Sequence, residues 1–344
     1  MRIDDLFAAR GEEPVFSFEF FPPKTPEGER KLAEALGVLG PLEPDFVSVT
    51  WGAGGSTRDK TIDIVEMARA DHDLETMAHF TCVGLTVEEI HAALRDMEAR
   101  GIENVLTLRG DPPQGEERFV AVDGGLTHAS ELAGLVDRHY DFCIVAACYP
   151  EVHQECASMA SDLAHLRAKV DAGARVLITQ LFFDNADYFH FVEEARAAGI
   201  EVPIVPGIMP ISSADQLRRF TALCGARIPA ALDAELDRRE GDPAAVHELG
   251  IAYATQQCAE LLAGGAPGVH FYTINRPEPV RAILSALRLG QPWRGAGGRL
   301  PERMPAEGGS GPLVAAEPGL EALDAPQQLA RQDGPLVIEG QIAP

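Results

Sequence analysis

At 344 residues the chain can bury one large core or two moderate ones, and its composition is that of a globular protein with many short Gly- and Pro-bearing connections. Its 53 acidic residues against 29 basic ones leave a net charge of −24; this argues against a nucleic-acid partner and means that an anionic ligand needs its own pocket of positive charge. No apolar run reaches membrane-spanning length and the N-terminus lacks a basic-then-apolar signal pattern, so a cytoplasmic protein without a membrane partner is expected.

A helical turn over residues 3–9 precedes a first strand over 15–20. That strand begins the stretch Phe16-Ser17-Phe18-Glu19-Phe20-Phe21-Pro22-Pro23-Lys24, a carboxylate inside a run of aromatics. Alternation sets Phe16, Phe18 and Phe20 on one face and Ser17, Glu19 and Phe21 on the other. Taken alone, Glu19 reads equally as a solvated edge-strand residue or as a site residue. Thr25 can cap a helix running to about residue 40, with Pro26 in its first position. A second strand spans 46–50. Gly52-Ala53-Gly54-Gly55 forms a loop, and Ser56 or Thr57 caps a helix to about residue 70. Strands over 76–81 and 104–109 flank a helix over 86–100; the fourth strand ends in Gly110-Asp111-Pro112-Pro113. Then come a helix over 129–140, a strand over 143–148, a helix over 159–172, a strand over 175–180 and a helix over 186–198. A seventh strand spans 203–207, followed by a helix over 214–224. An insertion carries one extra helix over 243–263, capped by Asp242. The eighth strand spans 268–273 and the last helix 277–289.

Eight strand-then-helix units, most about 30 residues apart, predict an α/β fold, a (β/α)₈ TIM barrel with an extra helix before its eighth strand. An open doubly wound sheet is the structural alternative. Residues 1–294 are expected to form one barrel. Residues 295–344 contain no aromatic and are dense in Gly, Pro, Ala and Glu, so a disordered tail is expected.

A barrel gathers its chemistry at the C-terminal ends of its strands. Here those ends read Glu19, Thr50, His79 and Thr81, Arg109-Gly110-Asp111, Tyr149, Gln180 and Asn275-Arg276. Glu19, among aromatics, is the candidate to be held protonated as a general acid; Asp111, beside Arg109, is the candidate to stay ionised. Plainer readings make Asp111 a turn residue before Pro112, and Arg109 a surface charge. Asp162, His165 and Lys169 fall at i, i+3 and i+7 on one helical face, which is either solvated or, with Arg109, the positive pocket a diphosphate would need. The six cysteines (Cys82, Cys143, Cys148, Cys156, Cys224 and Cys258) form no C-x-x-C pair, so buried free thiols are expected rather than disulfides or zinc ligands, and no metal is assigned. P-loop, G-x-G-x-x-G, H-E-x-x-H and nucleophile-elbow motifs are absent. Acid–base chemistry with a bound organic cofactor remains.

In order along residues 12–290, several blocks resemble the 5,10-methylenetetrahydrofolate reductase family, of the bacterial FAD-dependent type. They are Ser17-Phe18-Glu19-Phe20-Phe21-Pro22-Pro23, Phe46-Val47-Ser48-Val49-Thr50, Leu108-Arg109-Gly110-Asp111, Tyr149-Pro150-Glu151-Val152-His153, Lys169-Val170-Asp171-Ala172-Gly173-Ala174, Ile178-Thr179-Gln180, Pro206-Gly207-Ile208-Met209-Pro210 and Phe271-Tyr272-Thr273-Ile274-Asn275-Arg276. The resemblance implies a barrel holding FAD without a Rossmann domain. It implies ping-pong hydride transfer through flavin N5, from NADH (or NADPH) to 5,10-methylenetetrahydrofolate, giving the methyl donor for methionine synthesis. It implies that Glu19 is the acid for ring opening at N10 and that Asp111 stabilises the cationic intermediate. Gln180, Gln216, Phe220 and Arg276 would contact substrate. Thr50, His79, Leu108, Arg109, Gly110, Asp111, His128, Ala147, Tyr149, His153, Asp162, His165 and Lys169 would contact flavin. His128, His165 and Ala168 depart from the residues common there (Tyr, Asn and a basic residue). No S-adenosylmethionine control is implied, since the regulatory domain of eukaryotic relatives is missing. Homo-oligomerisation stays open. Two rival readings are another TIM-barrel enzyme, an aldolase or lyase, and a non-catalytic flavin- or folate-binding module. Pro206–Ser213 lacks the Gly-rich phosphate loop the first would use.

Overall fold

The computed structural model describes residues 1–51, 58–111 and 119–295. Its elements in chain order are α1 (Ile3–Arg10), β1 (Val15–Phe20), α2 (Pro26–Leu39), β2 (Phe46–Val49), α3 (Arg58–His72), β3 (Thr76–Thr81), α4 (Val87–Ala99), β4 (Asn104–Leu108), α5 (Ala129–His139), β5 (Cys143–Cys148), α6 (Met159–Asp171), β6 (Ala174–Thr179), α7 (Asn185–Ala197), β7 (Ile204–Val205), β8 (Gly207–Ile208), α8 (Ala214–Cys224), α9 (Ala230–Arg238), α10 (Pro243–Ala263), β9 (Gly268–Tyr272) and α11 (Pro277–Gly290). Thr25 Oγ1 accepts from Gly28 N and the Asp242 side chain from Ala245 N, as the sequence predicts; Ser213 Oγ also accepts from Gln216 N, and Thr86 forms a capping box with Glu89.

All strand pairs are parallel, in the order β7-β6-β5-β4-β3-β2-β1-β9-β8. β7 pairs with β6 and β8 with β9. The two are one stave interrupted at Pro206, which has no N–H to give a ladder but whose carbonyl still accepts from His270 N at 2.9 Å. The sheet therefore closes as eight staves, the (β/α)₈ barrel the periodicity predicts.

Closure separates two cores. Phe18, Phe20, Val47, Phe80, Ile144, Leu177 and Phe271 face outward into one apolar cluster with the helices. Val15, Phe46, Met77, Leu106, Val145, Val176 and Ile178 fill the lumen, and Ile3 and Leu6 of α1 join them from below. Asn104 pins that plug, since its Oδ1 accepts from Ile3 N at 2.8 Å. The lower lumen is thus dry, and only the strand C-termini are left for chemistry.

The insertion before β9 differs from expectation. It holds two helices, α9 and α10, not one. Helix α9 buries only Leu232 and Leu236. A single i, i+4 apolar pair in a charged nine-residue stretch is too weak a periodic signal to read. Three sequence expectations lie outside the described residues: the 52–55 loop with its Ser56 or Thr57 cap, the Pro112-Pro113 turn, and all of the tail beyond Gly295. All six cysteines are free, four of them buried. Among the described residues no helix is long and apolar enough to cross a membrane.

Candidate active site

The register of β1 decides what surrounds Glu19. The same alternation that sends Phe16, Phe18 and Phe20 out to the helices turns Ser17 and Glu19 into the lumen. There Glu19 meets histidines, not phenyl rings. Its Oε2 lies 3.2 Å from His79 Nε2 and 3.4 Å from His270 Nε2. The His79 approach is electrostatic, because its angle falls short of a hydrogen bond. The far nitrogen of His270, Nδ1, is 2.7 Å from Ser17 Oγ, and the ring stacks on Phe46.

This corrects the expected state of Glu19. Burial pushes its carboxyl upward, but the neighbouring His79 and His270 outweigh burial and hold it down at about 2. The carboxylate is ionised in the free protein, not protonated by aromatic surroundings. Because folding lowers this pKa from 4.5, the stabilisation is fully present above pH 4.5 and is lost as the pH falls toward 2. Acid unfolding followed by circular dichroism is expected to show this loss in the wild type and not in Glu19→Gln. Parallel stability curves would refute it.

Thr50 and Thr81 are buried at the ends of β2 and β3. Leu108 is buried at the end of β4, and Gly110 just beyond it takes φ +91°, a conformation where a Cβ would also strike Val83. Asp111 is half-buried there, and its negative charge acts on both Arg109 and Tyr149.

Arg109 is buried and paired, not the surface charge of the plainer reading. Its guanidinium lies over the Phe119 ring and donates to both oxygens of Glu155, at 2.7 and 2.8 Å. A second buried cation on this side of the mouth is Lys169. This ammonium is buried, donates to Ala147 O at 3.1 Å and sits above the Tyr149 ring. Burial lowers its pKa, and Asp162 opposes that shift. Asp162 is itself buried and accepts from His153 N at 2.9 Å. His153 Nδ1 accepts from Glu155 N, and burial holds the imidazole below its ordinary pKa, so it is neutral near pH 7 with its proton on Nε2. Burial pushes the Tyr149 phenol well above its usual range. His165 leaves this group: it is exposed, so the i, i+3, i+7 face is split between inside and outside. His128 is also exposed, at the start of α5.

On the opposite side, Gln180 is nearly buried after β6, and its Oε1 accepts from Leu181 N. Helix α8 presents half-buried Gln216 and buried Phe220. Arg276 is exposed beyond β9, after Ile274 and Asn275 at φ +50° and +53°. This strained turn is held by the Asn275 amide, which donates to Phe21 O and accepts from Phe21 N. It ties the Phe21-Pro22 end of β1 to the end of β9.

The mouth thus collects nearly every residue the sequence singled out, at one end of one barrel. What the geometry adds is His270, Ser17, Ser48 (whose Oγ is 3.5 Å from His270 Nε2) and Glu155. His270 had a signal that could have been read: it lies two residues before Tyr272 on a strand whose lumen face the alternation defines.

The family profile described as methylenetetrahydrofolate reductase matches residues 3–288. The chain belongs to the methylenetetrahydrofolate reductase family. It is 42% identical over 301 residues to methylenetetrahydrofolate reductase (NADH) 1 of Arabidopsis thaliana, covering 82% of this chain and 51% of the plant protein. It is 39% identical over 271 residues to 5,10-methylenetetrahydrofolate reductase of Escherichia coli K12, covering 79% of this chain and 90% of that one. The chain therefore spans about half the length of the plant relatives it matches. Among solved structures, an uncharacterised Clostridium thermocellum protein that binds two copies of 5-methyl-5,6,7,8-tetrahydrofolic acid superposes with a TM-score of 0.57 at 17% identity, over 83% of this chain and 96% of the other. That likeness is one of fold.

Proposed function

We propose that this member of the methylenetetrahydrofolate reductase family reduces 5,10-methylenetetrahydrofolate to 5-methyltetrahydrofolate with NADH or NADPH, using FAD, and so supplies methyl groups for methionine synthesis. Residues 1–294 form the catalytic barrel in this reading, and soluble substrates fit a cytoplasmic enzyme. The observation that carries it is the buried Glu19–His79–His270 cluster at the barrel mouth of a chain that matches the family over residues 3–288.

The donor set suits FAD. Buried Lys169 and neutral His153 can meet a diphosphate, with His165 at the rim. Thr81 Oγ1 and Arg109 Nε are buried without a hydrogen-bond partner among the described residues, as polar atoms facing a ligand would be. Thr50, His79, Leu108, Gly110, Asp111, Ala147, Tyr149 and Asp162 complete the cofactor side, with His128 at its outer end. Bound FAD would supply a two-electron carrier between nicotinamide and folate.

The chain's own part is proton and charge management. The methylene carbon bridges N5 and N10 of the folate. A proton delivered to N10 breaks the carbon–N10 bond and leaves an N5 iminium cation, which hydride converts to N5-methyl. Because Glu19 is ionised in the free protein, it takes up a proton from the medium once substrate is bound and passes it to N10. Asp111 lowers the energy of the cation by its negative charge. Gln180 and Gln216 offer amides to the pterin edge, Phe220 a stacking face, and Arg276 a cation for the glutamate end.

Purified protein, with FAD supplied if needed, is expected to show flavin absorbance that bleaches with NADH under nitrogen and returns on adding methylenetetrahydrofolate. NADPH in parallel ranks the two donors. No flavin absorbance even with added FAD would overturn the proposal.

A further inference from the structure

The loop after β5 does more than hold cofactor-side residues. Three of its other side chains reach other elements. Glu155 holds Arg109 at the end of β4. Gln154 Nε2 donates to Leu223 O, in the last turn of α8, at 2.8 Å. Glu151, its side chain 11% exposed, accepts from Arg227 twice: from the backbone N at 3.0 Å and from Nε at 2.9 Å. The same guanidinium donates through Nη2 to both oxygens of Asp187, at 2.7 Å each, on the first turn of α7. Between these anchors the chain leaves α8 through Gly225 at φ +77°, packed so closely on Gln154 that a Cβ would collide with it.

Helix α8 carries Gln216 and Phe220. Its start is set by the Ser213 cap, but a cap does not determine how the helix lies across the mouth. That orientation depends on where its C-terminal end is tied. Glu151, less exposed than Asp187, supplies an acceptor at that end and receives two donors from one residue, which determines direction as well as distance. We propose that Glu151, acting through Arg227 and Asp187, is a positioning residue that fixes α8, and with it Gln216 and Phe220, against the loop that carries Tyr149 and His153. The substrate side and the cofactor side of the mouth are thereby held at one spacing by one loop. This rests on the proposed reductase function for its kinetic arm and on geometry alone for its structural arm.

The test compares Glu151→Ala, Glu151→Gln and Arg227→Ala in the FAD-loaded enzyme. Arg227 is 69% exposed, so its removal should be tolerated by the fold. Both Ala variants are expected to raise KM for methylenetetrahydrofolate about tenfold, with kcat and FAD affinity (from flavin fluorescence quenching) within about twofold of wild type. Glu151→Gln keeps an acceptor oxygen for Arg227 and is expected to stay near the wild-type KM. Hydrogen exchange of the amides over Ala214–Cys224 is expected to accelerate in the Ala variants only. Faster exchange with an unmoved KM would overturn the positioning role, as would KM, kcat, FAD affinity and Tm all moving together. Unchanged exchange in both Ala variants would overturn the tie itself. If the wild type turned over no folate, the functional reading would fall, and exchange in α8 would still decide whether Glu151 holds the helix.

Discussion

Glu19→Gln is expected to leave reduction of the flavin by NADH close to the wild-type rate and to slow the folate half-reaction by about 10²- to 10⁴-fold. The two halves differ in proton demand. Hydride leaves a nicotinamide without a general acid, whereas the five-membered ring of methylenetetrahydrofolate opens only when N10 receives a proton. Glu19 accepts from His270 at 3.4 Å and lies 3.2 Å from the second buried imidazole, His79. Gln keeps the shape and an oxygen for His270 but cannot take up and release a proton. Anaerobic mixing that follows flavin absorbance separates the halves. Equal slowing of both would show that Glu19 serves binding or folding instead.

Lys169→Met is expected to lower FAD affinity about 10- to 100-fold, the range of a charge-assisted contact. It should also destabilise the flavin-free protein, by about 1–3 kcal/mol, because it removes a cation whose charge acts on buried Asp162 from beyond ion-pair distance. For a domain of this size the Tm should fall by roughly 5 °C. Met preserves the length of the side chain, so lost packing adds little. The double variant Lys169→Met/Asp162→Asn separates the two effects. Asn keeps an oxygen for His153 N and removes the unpaired charge, so stability should return while FAD affinity stays low. A single variant that melts with the wild type would show that the pair is not energetically buried. A double variant that regains FAD affinity would show that Lys169 does not meet the cofactor.

Much of this site was legible before any fold was known, and the parts that were not share a cause. Strand ends such as Thr50, Arg109-Gly110-Asp111, Tyr149 and Gln180 are local features: an apolar β-rich run, then polar residues. Their gathering at one mouth follows from the count of βα units alone. Contacts between distant side chains are different. Nothing local shows that Arg109 is paired, because its partner Glu155 is 46 residues away, on the next stave's loop. Asp162 and Lys169 are both buried, while His165 of the same helical face is exposed, because helical spacing does not say which edge of a face the barrel covers. Helix α9 leaves no periodic signal in the sequence because it buries only two leucines, Leu232 and Leu236.

The stretch around Glu19 shows the division most clearly. By itself the sequence determined that Glu19 lies on a strand, on the face opposite Phe16, Phe18 and Phe20, at the mouth of an eight-stave barrel, because a period of two and a period of about 30 residues are both properties of the local chain. Only the closed barrel decided what Glu19 faces. Closure pairs β1 with β2 on one side and β9 on the other, and so brings His270, 251 residues away, and His79 of β3 onto one carboxylate oxygen. Two imidazoles at that distance outweigh burial, and so a residue expected to be protonated is ionised.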